Sequence, residues 1–180
     1  MTGVVLTGGP GSGKTTLLEA LAQVGYAVEP EAGRAVIRQE QERGGDALPW
    51  RDRALFARKM LDHDIAAHGR SQTSGGLTFH DRGVPDVVGY LTLCDLPIPE
   101  DMDQAARTLR YHRKVFIAPP WTEIFGQDAE RRQDFDEAER TFAAMAAVYP
   151  SYGYDLVELP KATLVDRVAF VLDRLDADLT

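Results

Sequence analysis

The apolar residues of this chain come in short bursts whose spacing switches between two periods. Val4-Val5-Leu6-Thr7 is a continuous apolar run, the kind a strand covered on both faces requires, and Leu17, Leu18, Leu21 and Val24 then recur at helical spacing. Residues 25–31 read as a second strand that runs into acidic residues at its end. A helix over about 32–43 follows, broken by Gly44-Gly45-Asp46. A longer helix over about 51–68 shows Leu55, Phe56, Met60, Leu61 and Ile65 as its buried side, so residues of about 32–70 form a two-helix insertion between strands. Residues 77–80 read as a third strand, and the helix opening near Val84-Pro85 carries Val84, Val87, Val88 and Leu91 on one face. Leu96-Pro97-Ile98-Pro99 is a rigid connector to a polar helix of about 100–111, and residues 114–118 form a fourth strand. Phe135, Ala138, Phe142, Met145 and Tyr149 mark another helix, residues 154–159 a fifth strand, and Leu164, Val168, Val171, Leu172 and Leu175 a closing helix. Strands alternating with helices predict an α/β fold: a three-layer sandwich with a five-stranded parallel sheet, order 2-3-1-4-5, and right-handed crossovers.

The first strand leads directly into Gly8-Gly9-Pro10-Gly11-Ser12-Gly13-Lys14-Thr15-Thr16, which fits G-x-x-x-x-G-K-[ST]. Glycines let the backbone curl around an anion, so that successive N–H groups and the helix N-terminus point at a polyphosphate. Lys14 then reaches the β- and γ-phosphates, and the Thr15 hydroxyl is a ligand for Mg²⁺, which keeps several waters and needs few protein ligands. Residues 8–16 are therefore the expected binding site for ATP with Mg²⁺, GTP not being excluded.

In an open parallel sheet the C-terminal strand ends face the ligand crevice, which makes the residues after each strand candidates. Glu29 and Glu31 follow the second strand and Arg34 lies three residues on, a spacing that also suits a surface ion pair. Asp81-Arg82-Gly83 follows the third strand. Asp81 can hold Mg²⁺ or accept a proton, or it can cap the next helix, while His80 points to the opposite face of the sheet and packs there. After the fourth strand, residues 119–134 form a candidate lid. Its Arg131 and Arg132 open the following helix, where guanidinium groups can neutralise charge on a transferring phosphoryl group or pair with Asp128, Asp134 or Glu139. Arg107, Arg110, Arg113 and Lys114, the densest basic run, read as a solvated face.

Composition narrows the classes. A chain of 180 residues with 44% hydrophobic positions suits one domain with one substantial core. A formal charge of −8 argues against a nucleic-acid surface, which rests on lysine and arginine meeting phosphates. Cys94 is the only cysteine, so neither an internal disulfide nor a cysteine-clustered zinc site is expected. His63, His68 and His112 show no metal-ligand spacing. No leader-like start and no apolar run long enough for a membrane span are seen, so a cytoplasmic protein is expected.

Taken in order, Leu6-Thr7-Gly8-Gly9-Pro10-Gly11-Ser12-Gly13-Lys14-Thr15-Thr16, Glu31-Ala32-Gly33-Arg34, Asp81-Arg82-Gly83, Pro119-Pro120-Trp121 and Arg131-Arg132-Gln133-Asp134-Phe135 resemble the AAA-type P-loop family that includes the ribosylnicotinamide kinase domain of bacterial NAD-regulating proteins. The resemblance runs almost end to end and implies a nucleotide-kinase-like fold that binds ATP or GTP. Nucleoside and nucleotide kinases carry an acidic residue after the second strand and an acidic-Arg pair after the third, similar to Glu29 or Glu31 and to Asp81-Arg82. Placement and resemblance together give expected catalytic roles to Lys14, Asp81, Glu31, Arg131 and Arg132, and acceptor contacts to Glu29, Glu31, Arg34 and Arg82. Two functions fit: a phosphotransferase acting on a small, nucleoside-like or other metabolite acceptor, or a regulatory NTPase that switches a protein or lipid partner. Against a guanine-specific switch, the chain has no N-K-x-D motif, and Asp81-Arg82-Gly83 is not D-x-x-G.

Overall fold

In the computed structural model, residues 3–125 and 135–176 are described. Five strands form one parallel sheet: β1 (Gly3–Gly8), β2 (Ala27–Glu29), β3 (Thr78–Asp81), β4 (Lys114–Ala118) and β5 (Asp155–Glu158). Their spatial order is β2-β3-β1-β4-β5, as the alternation of elements predicts. The continuous apolar run of β1 has its cause here, since every residue of the strand is buried between two helical layers.

The helices are α1 (Lys14–Gln23), α2 (Ala32–Arg43), α3 (Arg53–Thr73), α4 (Val84–Leu93), α5 (Glu100–Thr108), α6 (Phe135–Ser151) and α7 (Leu164–Asp176). One face of the sheet presents Val4, Leu6, Phe79 and Phe116 to α1 and α7, where Leu17, Leu18, Leu21, Val171 and Leu175 complete a core. The other face presents Val5, Val115 and Ile117 to α3, α4 and α6 through Leu61, Val87, Val88, Leu91, Met145 and Tyr149.

Several boundaries and faces differ from expectation, each for a local reason. α1 ends at Gln23, so Val24 becomes the C-cap and is 60% exposed rather than part of the buried stripe. α3 starts later and runs longer than expected, because the Asp52 side chain accepts from Leu55 N–H at 2.9 Å and fixes the N-terminus. Its buried stripe is Phe56, Ala57, Leu61, Asp64, Ala67, His68 and Ser71, which leaves Leu55 and Ile65 at its exposed edges. α5 stops at Thr108, and Tyr111 drops into the core, where its hydroxyl accepts from Val84 N–H at 3.3 Å. The basic run beyond α5 is partly structural: Arg110 stacks on Tyr154 and donates to the Tyr152 carbonyl, and Lys114 donates to the carbonyl of Arg174. Of the expected lid, only residues 119–125 are described; Arg131 and Arg132 lie outside the described residues.

Candidate functional site

The loop between β1 and α1 is a closed turn around the Lys14 ammonium. Gly8 and Gly13 have positive φ values of 122° and 77°, a region that costs little only without a Cβ. Space forbids one as well: a Cβ on Gly8 would sit 2.4 Å from the Ala118 carbonyl oxygen. Lys14 Nζ donates to the carbonyls of Gly8 at 3.2 Å and Gly9 at 2.8 Å and to Ser12 Oγ at 3.3 Å, while Ser12 Oγ donates to the Gly9 carbonyl at 2.8 Å. Burial, reinforced by the positive charge of Arg82, pulls the Lys14 pKa down to about 8. Gly9, Pro10 and Ser12 are buried and Gly11 half-buried, whereas Thr15 and Thr16 are exposed at the N-terminus of α1. The described start of the lid region covers the loop from outside: Phe125 lies over Gly11 and Ile124 over Gly13.

Beside this loop stands Asp81. Register pairs Leu6 with Asp81, and Leu6 belongs to the face packed by α1, so the end of β3 sets its carboxylate on the side of the P-loop helix. His80 takes the other face, packed edge-on against Tyr111 with ring centroids 5.2 Å apart. Asp81 is 5% exposed and its Oδ1 has no hydrogen-bond partner. Burial pushes its pKa up to about 6, with the charge of Glu31 adding and those of Lys14 and Arg82 opposing. Asp81 is not the helix cap: Gly83 is, and Asp86 supplies the reciprocal bond by accepting from Gly83 N–H at 3.0 Å.

A second centre lies next to the first. Arg82 sits at a positive φ of 72°, its N–H donating to the Leu6 carbonyl at 2.9 Å, and its side chain is half-buried. The guanidinium donates to Glu31 at 3.3 Å and to Asp86 at 3.2 Å. Asp86 Oδ1 also accepts from the Thr7 hydroxyl at 2.5 Å, and Asp86 Oδ2 from the Tyr149 hydroxyl. Burial works against the Arg82 charge, but Glu31, Asp86 and Asp81 outweigh it and raise its pKa. Burial likewise opposes the Glu31 charge, yet Arg82, Lys14 and Arg34 hold that carboxyl below its usual range. Arg34 donates to Glu31 at 3.2 Å, so the expected pair forms. Glu29 is turned to the other sheet face and accepts from Arg70 of α3 at 2.8 and 2.6 Å.

Three residues of this centre escaped the sequence reading. Asp86 and Tyr149 sit in stripes that look apolar, and only their polar atoms, buried at α4 and α6, betray them. Asp64 carried a legible signal, since the series 57, 61, 64, 68, 71 keeps helical spacing more faithfully than one drawn through Ile65. Asp64 is 6% exposed; burial raises its pKa well above the usual value, with Asp86, Glu31 and Asp81 adding and Arg82 opposing. Among the described residues no group of three or more histidine, cysteine or carboxylate side chains could enclose a metal ion. The site nevertheless fits Mg²⁺ held chiefly by phosphate and water, because Asp81 offers a free buried oxygen and Thr15 an exposed hydroxyl beside the anion loop.

Comparison with known proteins accords with this geometry. An AAA domain family model matches residues 3–167. Among solved structures, the chain is similar to NadR protein in complex with NR, with a TM-score of 0.70 and 21% identity over 97% of this chain and 50% of that one. It thus spans half the length of that relative. It is also similar to thymidylate kinase from Ehrlichia chaffeensis, with a TM-score of 0.61 and 17% identity over 97% and 98% of the two chains. Deoxyadenosine kinase from M. mycoides gives a TM-score of 0.60 at 11% identity, over 97% and 99%. No match to a curated protein is found. A match over this span, on a sheet of order β2-β3-β1-β4-β5 with a phosphate loop after β1, places the chain in the AAA domain family, with the fold of P-loop kinases.

Proposed function

We propose that the protein is an ATP-dependent kinase that transfers the γ-phosphoryl group to a hydroxyl of a small, nucleoside-like metabolite. The observation that carries this reading is the adjacency of two unlike centres: an anion loop with a lysine, and beside it a buried carboxylate–guanidinium centre at the ends of β2 and β3. An ATPase alone has no need of the second. In the reaction a bond forms between the acceptor oxygen and the γ-phosphorus as the bond from that phosphorus to the β,γ-bridging oxygen breaks, leaving ADP. Glu31, kept ionised by its cationic neighbours, orients the acceptor hydroxyl and takes its proton. Lys14 leaves the loop carbonyls for the β- and γ-phosphates, and Arg82 fixes Glu31. Asp81 and Thr15 would hold Mg²⁺, which supplies charge neutralisation on the phosphates. Arg131 and Arg132 are candidates to close over the triphosphate.

The acceptor side also has a charge preference. Arg82, its half-buried cation, is already committed to two carboxylates. This favours an uncharged or cationic hydroxyl compound over a phosphate monoester, and the nucleoside named with the M. mycoides enzyme is of that kind. The test is ADP release from ATP·Mg²⁺ with nucleosides, nucleoside monophosphates, sugars and vitamins as acceptors. Stimulation by an uncharged or cationic acceptor, lost in Glu31→Gln at unchanged ATP affinity, is expected. Equal ADP release with and without every acceptor, in wild type and mutant alike, would favour a nucleotide-dependent switch.

A further inference from the structure

One buried cation at the phosphate loop comes from the far end of the chain. Arg167, in the first turn of α7, is 4% exposed, and its Nη1 and Nη2 both donate to the Ser12 carbonyl at 3.3 Å. Its Nε is buried with no hydrogen-bond partner, and no carboxylate among the described residues forms an ion pair with it. The Trp121 ring, at the end of β4, lies 5.9 Å from the guanidinium carbon. Desolvation alone pulls the Arg167 pKa down. A buried guanidinium without a counter-charge is costly, and the fold would relieve it by turning the side chain outward unless it served the loop.

The geometry points to Arg167 as a positioning residue that sets the phosphate loop for polyphosphate, an inference that rests on the proposal that this loop binds a nucleoside triphosphate. Across a trans peptide the carbonyl and the next N–H point in opposite directions, and no peptide among the described residues is cis. A guanidinium fork that draws the Ser12 carbonyl outward therefore turns the Gly13 N–H inward, toward the cradle. Contact at position 13 is close: a Cβ there, already disfavoured by a φ of 77°, would lie 2.7 Å from Arg167 Nη1 and 3.1 Å from Ile124. The same guanidinium adds a positive charge behind the loop that no carboxylate among the described residues pairs with. Both effects grow with the number of phosphates in the cradle. The first specified glycine of the motif thus closes against β4 and the second against α7, so that strand order and the final helix both shape the anion site.

Titration of ATP, ADP and AMP into wild type, Arg167→Ala and Arg167→Lys tests this. Arg167→Ala should weaken ATP and ADP about tenfold and AMP less than about threefold. Arg167→Lys, which keeps the charge but not the fork, should recover part of the loss. Should Arg167→Ala fail to fold, the lysine variant carries the same comparison, with a smaller loss that still increases from AMP to ATP. An equal loss for all three nucleotides, or none, would overturn the inference, since removing mere packing has no reason to follow phosphate number. Wild type that binds none of the three would instead remove the triphosphate reading, and the inference with it.

Discussion

Two cations, the buried Lys14 and the half-buried Arg82, stand side by side in this crevice and are held in opposite ways. Lys14 is enclosed by neutral carbonyl oxygens and a hydroxyl, and its pKa falls to about 8; Arg82 is enclosed by carboxylates, and its pKa rises. Carbonyl contacts compensate a buried charge only in part, so the lysine gains whenever a phosphate replaces them. The carboxylates around Arg82 outweigh the burial of its charge, so the arginine has little to gain by leaving. One cation is poised to move to a ligand and the other is fixed to hold neighbours. The phosphate loop is accordingly the adaptable half of the site, and the centre of Glu31, Arg82, Asp86, Thr7 and Tyr149 the rigid half.

The sharpest way to break this comparison is to remove the anchor of the rigid half. Asp86→Ala deletes the acceptor for Thr7, Tyr149, Gly83 N–H and Arg82 together, and leaves Arg82 half-buried with Glu31 as its remaining partner. Chemical denaturation should show a loss of about 3–5 kcal/mol, the range for breaking a buried charge pair. A loss under about 1 kcal/mol would mean that the centre is not rigid and that Arg82 finds other partners.

Lys14→Ala should do the reverse. Affinity for ATP·Mg²⁺ falls by about 2–3 kcal/mol, the scale of charge-assisted hydrogen bonds, while the fold is preserved. Its pH dependence follows from the sign of the shift. The folded-state pKa, about 8, lies below the ordinary lysine value of 10.5, so the unfolded chain binds more protons between the two and stability from this group rises with pH across that window. Denaturation at pH 7 and pH 10 should show a rise in wild type that Lys14→Ala lacks; equal slopes would place the ammonium in water rather than among carbonyls.

The two halves also differ in how they are written in the chain. The phosphate loop is contiguous: its glycines, lysine and threonine are neighbours in sequence, and the flanking strand and helix periods announce their own geometry, so both position and chemistry could be read directly. The parallel sheet was legible for a similar reason, since strands alternating with helices leave few ways to wind the chain, whereas the order 2-3-1-4-5 was expected without being fixed by the sequence. The rigid half is assembled from β1, α2, β3, α4 and α6, and its anchor is a carboxylate in an apolar stripe beside Pro85 and Val87. Glu31 and Arg82 were visible because they follow strand ends, whereas Asp86, Tyr149 and Arg167 are recognisable only by what folding brings to them. Glu29 shows the limit of the strand-end argument, as alternation along β2 turns it to the face of α3 and Arg70.

The smallest effect, and the finest test of the comparison, concerns Asp64. It lies in the buried stripe of α3 near the rigid centre, yet it accepts none of the hydrogen bonds described there and its pKa is raised well above the usual value, chiefly by burial. The folded protein therefore binds this proton more tightly than the unfolded chain does. By linkage, the stability it contributes is fully present below the unfolded pKa of about 3.9 and is lost as pH rises above it. Asp64→Asn keeps the shape, removes the titration, and should be more stable than wild type by about 1 kcal/mol or more at pH 8, with the gap shrinking toward pH 4.5. Urea denaturation at the two pH values measures it. A gap that does not change with pH would show Asp64 to be ionised and satisfied, a second fixed carboxylate like Asp86. A gap that widens with pH leaves Asp64 as an acid near the rigid half that keeps its proton, in contrast to Glu31, which its cationic neighbours hold ionised.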